Sequence, residues 1–133
     1  MAWVQARKKK IGTSRLYGDN WRVQPAVAIN KSGVTFNEAF LSTFMNGSKG
    51  VVVFYNKEER CIGFKTPGPQ DGDAGDIYSL RHSSPTAKTS RMIGWSKPGK
   101  MWPDSTGRAY RATLNGGERM IVVKVCAENE LSG

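Results

Sequence analysis

Most side chains able to carry chemistry in this sequence are basic: 20 Lys and Arg stand against 11 Asp and Glu, a net charge of +9. His82 is the single histidine and is followed by two serines, but no nucleophile-elbow pattern accompanies it. One His and two distant cysteines, Cys61 and Cys126, cannot complete a Cys/His zinc site. Neither glycine-rich phosphate-loop pattern occurs. These absences predict a protein that is not an enzyme and uses no metal or cofactor.

The positive charge is concentrated in two blocks. Residues 1–35 hold seven basic and one acidic residue, and residues 81–111 hold the same numbers. The stretches that follow each block, residues 36–80 and 112–133, are slightly acidic. A basic surplus of this size predicts an anionic partner, above all nucleic acid. The candidate phosphate contacts are Arg7, Lys8, Lys9, Lys10, Arg15, Arg22, Lys31, Arg81, Lys88, Arg91, Lys97, Lys100, Arg108 and Arg111.

Aromatic residues accompany both blocks. Trp3, Trp21, Trp95 and Trp102 lie within or beside them, and basic grooves with stacking rings are typical of single-strand binding. Trp102, between Lys100 and Arg108, is the candidate for stacking on a base. The alternative is that Trp102 packs beneath its own loop.

The neutral stretches contain an internal repeat. FYNKEERCIGFK at residues 54–65 aligns without a gap on TLNGGERMIVVK at residues 113–124, with five of twelve positions identical. Each copy has two β-rich runs around a polar turn, which predicts a β-hairpin. A repeated hairpin in 133 residues predicts two similar halves.

The rest of the chain is divided around these hairpins. We predict a basic arm at residues 1–20, a first module at 21–66, a linker at 67–76, a second module at 77–126 and a polar tail at 127–133. In the first module we expect an edge or bulged strand at 21–30, because it contains Pro25. A turn, a short strand at 34–36, a helix at 38–45 capped by Asn37 and a hairpin at 50–65 follow, its first strand covered on both faces.

In the second module we expect a strand at 77–81, a turn at 82–84, a helix at about 86–95, a loop at 96–107 and a hairpin at 108–125. If Thr35 corresponds to Thr86 and Asn56 to Asn115, the second module is the longer one between these two positions. We assign the extra residues to the loop. The predicted fold is therefore mainly β with short helices: a barrel-like domain built from two pseudo-repeated strand-turn-helix-hairpin modules.

The stretch SGVTFNEAFLSTFMNGSKGVVVFYNKEERCIGFK resembles the swapped-hairpin module of AbrB-, SpoVT- and MazE-type proteins. The resemblance covers residues 25–65 and, more loosely, residues 77–124. In that family two modules interlock into a small barrel that binds DNA through a basic face. The resemblance implies that one chain supplies both modules here, either as a monomer with pseudo-twofold symmetry or as a homodimer.

Together these features predict a small DNA-binding protein, such as a transcriptional regulator or a phage or mobile-element accessory factor. Arg22, Lys31, Arg81 and Arg91, nearest the predicted turns, are the candidates for base contacts. One alternative is a single-stranded DNA or RNA binding protein, and another is an inhibitor or antitoxin-like module for an acidic protein partner. No apolar run approaches the ~20 residues of a membrane span, and residues 1–12 lack the pattern of a signal peptide. We therefore expect no membrane partner and a cytoplasmic location.

Overall fold

The structure, a computed structural model, describes residues 24–45, 47–67, 77–82, 89–116 and 120–131. The predicted arm, Arg22, Lys88 and nearly all of the predicted linker lie outside the described residues.

One sheet of nine strands contains strands from both predicted modules. The strands are β1 (Ala26–Ile29), β2 (Val34–Phe36), β3 (Gly50–Asn56), β4 (Cys61–Lys65), β5 (Tyr78–Ser79), β6 (Arg81–His82), β7 (Arg91–Ile93), β8 (Arg108–Asn115) and β9 (Met120–Lys124). Their order is β5-β3-β4-β9-β8-β1-β2-β7-β6. The two edge strands, β5 and β6, are separated in the chain only by Leu80, whose N–H donates to the Lys49 carbonyl oxygen at 2.9 Å. The sheet therefore nearly closes, and the predicted mainly-β, barrel-like fold is confirmed.

The first helix, α1, begins at the predicted cap. It spans Glu38–Phe40 and continues as a π-helical turn over Leu41–Met45. The Asn37 side-chain oxygen accepts hydrogen bonds from the backbone N–H groups of Phe40 at 2.8 Å and Ala26 at 3.1 Å. One side chain thus ties the start of α1 to the start of β1.

The barrel interior holds the main core. Phe36, Phe40 and Phe64 are fully buried, with ring centroids 4.7–5.8 Å apart. Aliphatic side chains from β1, β3, β7 and β9 complete the core. A second, smaller cluster lies on the outer face, where Leu131 covers alanines of β1 and β8.

The sequence repeat corresponds to a pseudo-twofold axis. Where β4 pairs with β9, Gly63 lies opposite Val122, and the sequence repeat aligns the same two residues. On the other side of the barrel β2 pairs with β7, and Thr35 lies opposite Met92 at the centre of that pairing. In both places an antiparallel strand meets its own counterpart, so one axis through both centres relates the two halves.

The halves also interlock. β1 of the first half pairs with β8 in the hairpin of the second, and β5 of the second half pairs with β3 in the hairpin of the first. The registers match, because the pairs Val27–Tyr110 and Tyr78–Val51 occupy equivalent positions. Each hairpin is therefore completed by the opposite half of the chain.

Two predictions for the second half are wrong. The described part of the predicted helix at 86–95 contains strand β7, because Arg91–Ile93 completes the ladder beside β2. The predicted loop at 96–107 contains the helix instead: α2 spans Lys97–Met101, with Pro98 in its first turn, and a 3₁₀ turn spans Pro103–Ser105.

The insertion in the second half is also placed differently from the prediction. The strand pairings make Tyr78 the counterpart of Val27, Met92 the counterpart of Thr35 and Val122 the counterpart of Gly63. The difference in residue number between a residue and its counterpart grows mainly between the Val27/Tyr78 pair and the Thr35/Met92 pair, and it changes little from there to the Gly63/Val122 pair. Most of the insertion therefore precedes β7, whereas we expected it in the loop at 96–107.

Four further predictions are corrected. β1 is a central strand, because Pro25 lies just before it and its missing N–H costs no ladder bond. β3 is covered only in its first half, since Phe54 and Tyr55 are 40% and 47% exposed. The strand at 77–81 is interrupted at Leu80. The polar tail forms a 3₁₀ turn at Ala127–Asn129 and then buries Leu131.

Candidate nucleic-acid interface

The fold gathers basic side chains from both blocks at one end of the barrel. We define this upper end by the β1–β2 turn at residues 30–33, by α2 and by the tip of the first hairpin at residues 57–60. Lys31 is exposed in the turn, and Lys97 and Lys100 are exposed on α2. The turn and α2 are close together, because a Cβ at Gly99 would lie 3.4 Å from the Asn30 carbonyl oxygen.

Arg81 extends toward the same end. Its strand, β6, pairs with β7, and its guanidinium lies so close to Gly94 that a Cβ there would be 2.7 Å from it. Gly94 directly follows the end of β7, which pairs with the upper end of β2. Arg81, from the second half, therefore joins Lys31, from the first.

The other predicted contacts are placed differently. The Arg108 guanidinium bonds both carboxylate oxygens of Glu130 at 2.9 Å, so its charge is partly neutralised. Arg111 is exposed on β8 and donates to the Gln24 side chain at 3.0 Å. Arg91 is half-buried at the lower end of the barrel, beside α1. Arg7, Lys8, Lys9, Lys10, Arg15, Arg22 and Lys88 lie outside the described residues.

Two arginines of this end are paired with acidic residues, Arg60 with Asp104 and Arg108 with Glu130. Asp104 accepts from Arg60 at 2.8 Å, and this hydrogen bond holds the pKa of the Asp104 carboxyl below its usual range. The pair is exposed to solvent, with 35% and 68% of the two side chains accessible. Lys31, Arg81, Lys97 and Lys100, in contrast, have no carboxylate partner among the described residues. Lys57, at the tip of the first hairpin, is a fifth exposed cation without a carboxylate partner among the described residues, and the exposed Glu58 and Glu59 beside it offset part of this positive charge.

Trp102 is not available for stacking on a base. It is 3% exposed, and its indole N–H donates to the Lys57 carbonyl oxygen at 3.3 Å. The Arg60 guanidinium covers it, 5.8 Å from the ring centroid. Trp102 is therefore packed beneath its own loop, as the alternative interpretation predicted. Its hydrogen bond to Lys57 holds the tip of the first hairpin in place.

Two exposed aromatic residues were not among the predicted contacts. Phe54 and Tyr55 lie near the end of β3, where the hairpin extends beyond the barrel. The Lys65 ammonium lies 5.5 Å from the Phe54 ring centroid. The Lys97 ammonium lies 4.4 Å from the Tyr55 ring and donates to its hydroxyl at 2.7 Å. The only sequence signal was their position directly before a polar turn, which the apolar run of β3 concealed.

His82, the two cysteines and the acidic residues are the groups on which catalytic or metal chemistry would depend. His82 belongs to β6 rather than to a turn, is exposed and pairs across the ladder with Arg91. No three His, Cys, Asp or Glu side chains of the described segments form a group that could hold a metal ion. The buried Tyr110 phenol has its pKa raised to about 12 by desolvation, but it packs in the core. Cys61 and Cys126 are half-buried free cysteines.

Comparison with known proteins adds no identification. No protein family, curated protein or solved structure matches the chain. Among the helices of the described segments, none has the length and apolarity that crossing a bilayer requires.

Proposed function

We propose that the protein is a non-catalytic, cytoplasmic DNA-binding protein and that it contacts duplex DNA with its upper end. The observation that carries this proposal is the convergence of Lys31, Arg81, Lys97 and Lys100, which have no carboxylate partner among the described residues. They come from both halves of a chain with a net charge of +9. Lysine and arginine at a duplex surface replace condensed counterions, which favours binding.

The architecture supports a more specific interpretation. Each half completes the hairpin of the other about a pseudo-twofold axis, which is the arrangement expected of two swapped-hairpin modules. We propose that the chain is a single-chain form of the AbrB-like module and acts as a transcriptional regulator or as a phage or mobile-element accessory factor. The two halves differ in charge, since α2 carries Lys97 and Lys100 where α1 carries Glu38 and Leu41. We therefore expect one end of the barrel to dominate the contact.

The test is binding to labelled duplex DNA, single-stranded DNA and RNA across a salt series. If about six cations engage the duplex, the slope of log K against log salt is about −5. Replacing Lys31, Lys97 and Lys100 by Gln should reduce the steepness of that slope by roughly 2 to 3. Lys49→Gln, at an exposed site at the opposite end of the barrel, is the control and should not match the effect of the triple variant on the slope. Duplex affinity no greater than that of an unrelated protein of equal charge, or an unchanged slope in the triple variant, would contradict the proposal.

A second candidate function rests on Phe54 and Tyr55. Their exposed rings, each beside a lysine ammonium, match the combination of stacking surface and positive charge that binds single strands. If this function is correct, Phe54→Ala lowers single-strand affinity and leaves duplex affinity unchanged. The salt series also tests the remaining alternative, an acidic protein partner, since such a module would bind every nucleic acid weakly.

A further inference from the structure

A groove at the lower end of the barrel, opposite the proposed DNA contact, has the composition of a small-molecule site. Its volume is about 550 Å³, within the range of small-molecule sites, about 300–1,000 Å³. Its walls are α1 with the π-helical turn, the segment at residues 47–49 that leads into β3, and residues in and beside β6 and β7. We call it the α1 groove.

The walls of the α1 groove are held in place before any ligand binds. Asn37 fixes the start of α1 through its two accepted hydrogen bonds. Beyond the end of the π-helical turn, the Ser48 N–H donates to the Met45 carbonyl oxygen at 2.8 Å. On the opposite side, the Leu80 N–H bonds the Lys49 carbonyl oxygen. A wall fixed in this way loses little entropy when a ligand binds.

The chemistry of the lining defines the ligand. Leu41, Met45 and Leu80 provide an apolar surface, and Leu41 and Met45 belong to the π-helical turn, a structure often found at functional sites. Arg91 and Lys49 provide positive charge at the edge of this surface. One Arg91 nitrogen donates to the Ser90 carbonyl oxygen at 2.8 Å, which orients the guanidinium.

Two further ionisable groups line the α1 groove and restrict the charge of the ligand. His82 is the direct cross-strand partner of Arg91, so the two side chains project to the same side of the sheet. Glu38 lies on the α1 side and disfavours a ligand with several negative charges. Arg91 and Lys49 together with Glu38 leave one net positive charge, which favours a single negative charge on the ligand.

The corresponding place in the other half of the barrel differs in its lining. There α2 lies against the β1–β2 turn, and the Gly107 N–H donates to the Ile29 carbonyl oxygen at 2.8 Å. The counterpart of Lys49 in the repeat is Arg108, which Glu130 neutralises. Lys49 has no carboxylate partner among the described residues. The free positive charge at Lys49 is therefore particular to the first half and does not follow from the repeat.

We propose that the α1 groove binds a small amphipathic monoanion, with its acidic head group at Arg91 and Lys49 and its apolar body against Leu41, Met45 and Leu80. This site is independent of the proposed DNA contact. Glu38 makes it a poor site for a phosphodiester chain, so a free small molecule is the expected occupant.

The experiment titrates the full chain with octanoate, octylamine and inorganic phosphate by calorimetry, with amide chemical shifts to locate binding. We expect octanoate to bind at one site and to shift the amides of Leu41, Ser42 and Leu80. We expect Arg91→Gln to weaken octanoate binding at least about tenfold, as for loss of a charge-assisted hydrogen bond. Glu38→Gln should strengthen it about two- to fivefold.

Lys57→Gln, at the exposed tip of the first hairpin, is the charge-matched control and should bind octanoate like the wild type. Ser42→Phe fills the groove from an exposed position without changing a charge, and it should abolish binding. Amide spectra of each variant show whether the fold is retained. Three results would overturn the proposal: equal binding of octylamine, phosphate binding as tightly as octanoate, or unchanged octanoate affinity in a folded Arg91→Gln variant.

Discussion

Replacing Trp102 by Ala separates a structural role from a stacking role. The side chain is 3% exposed, and burying an indole removes about 200 Å² from water. At about 25 cal/mol per Å² this contributes ~5 kcal/mol, reduced by roughly 10–40% because the unfolded chain already buries some surface. The hydrogen bond to Lys57 adds about 1 kcal/mol. We therefore expect Trp102→Ala to lower the free energy of unfolding by about 4 kcal/mol, within the about 3–5 kcal/mol usual for buried tryptophan.

The assay is urea unfolding followed by circular dichroism, with thermal unfolding in parallel. A loss of about 4 kcal/mol corresponds to a Tm decrease of roughly 12–20 °C for a domain of this size. Trp102→Phe keeps most of the ring and should lose about 1–2 kcal/mol. Phe54→Ala is the comparison variant: because Phe54 is 40% exposed, it should lower the free energy of unfolding clearly less than Trp102→Ala does.

Nucleic-acid binding should rank the two positions in the opposite order to stability, because only Phe54 is exposed for stacking. Phe54→Ala is expected to weaken single-strand binding by about 1–3 kcal/mol per stacked base if the second candidate function holds. Trp102→Phe, which remains folded, should leave it unchanged. A Trp102→Ala variant that stays within about 1 kcal/mol of wild-type stability and loses single-strand affinity would refute this interpretation of the residue.

Three further predictions test the framework. Asn37→Ala leaves two buried backbone donors without an acceptor and should lower the unfolding free energy by about 2–4 kcal/mol in urea. The pKa of Asp104 is lowered by its hydrogen bond to Arg60. The stability that this bond contributes is therefore present above about pH 4, the usual pKa of the group, and is lost as the pH falls through the lowered pKa. Thermal unfolding of Asp104→Asn should depend less on pH in this acidic range than that of the wild type. Gly33→Ala should lower the free energy of unfolding by about 1–3 kcal/mol, because the added Cβ meets a backbone carbonyl oxygen. Gly63→Ala should lower it less, because its Cβ meets a methionine side chain that can rotate. Equal losses at the two glycines would contradict this distinction.

Local signals were sufficient for much of the fold. The short strand β2, the two hairpins, the Asn37 cap and the repeat itself follow from short-range patterns, and the structure has all of them. The helix predicted at residues 86–95 was wrong because the local sequence pattern there is weak. Arg91–Ile93 forms a strand because it pairs with β2. The secondary-structure preference of so short a segment is too small to compete with a ladder of backbone hydrogen bonds.

The candidate site was predictable in composition but not in arrangement. The charge blocks gave fourteen basic candidates, and Lys31, Arg81, Lys97 and Lys100 are four of them. Their convergence depends on α2 packing against the β1–β2 turn, a contact between segments that lie far apart in the chain. Burial likewise depends on long-range contacts, which is why Trp102, the residue expected to stack, is enclosed and Phe54, expected to be covered, is exposed.

The sequence by itself determined that this protein has two related halves, a mainly β fold and a surplus of positive charge, because each of these is a property of local pattern or of residue counts. Only the tertiary structure decided how the halves combine. The pairing of β1 with the second hairpin and of β5 with the first brings distant charges to one end and leaves a groove at the other. Such pairings depend on which strand edges meet across the whole chain, and no local run of residues specifies them.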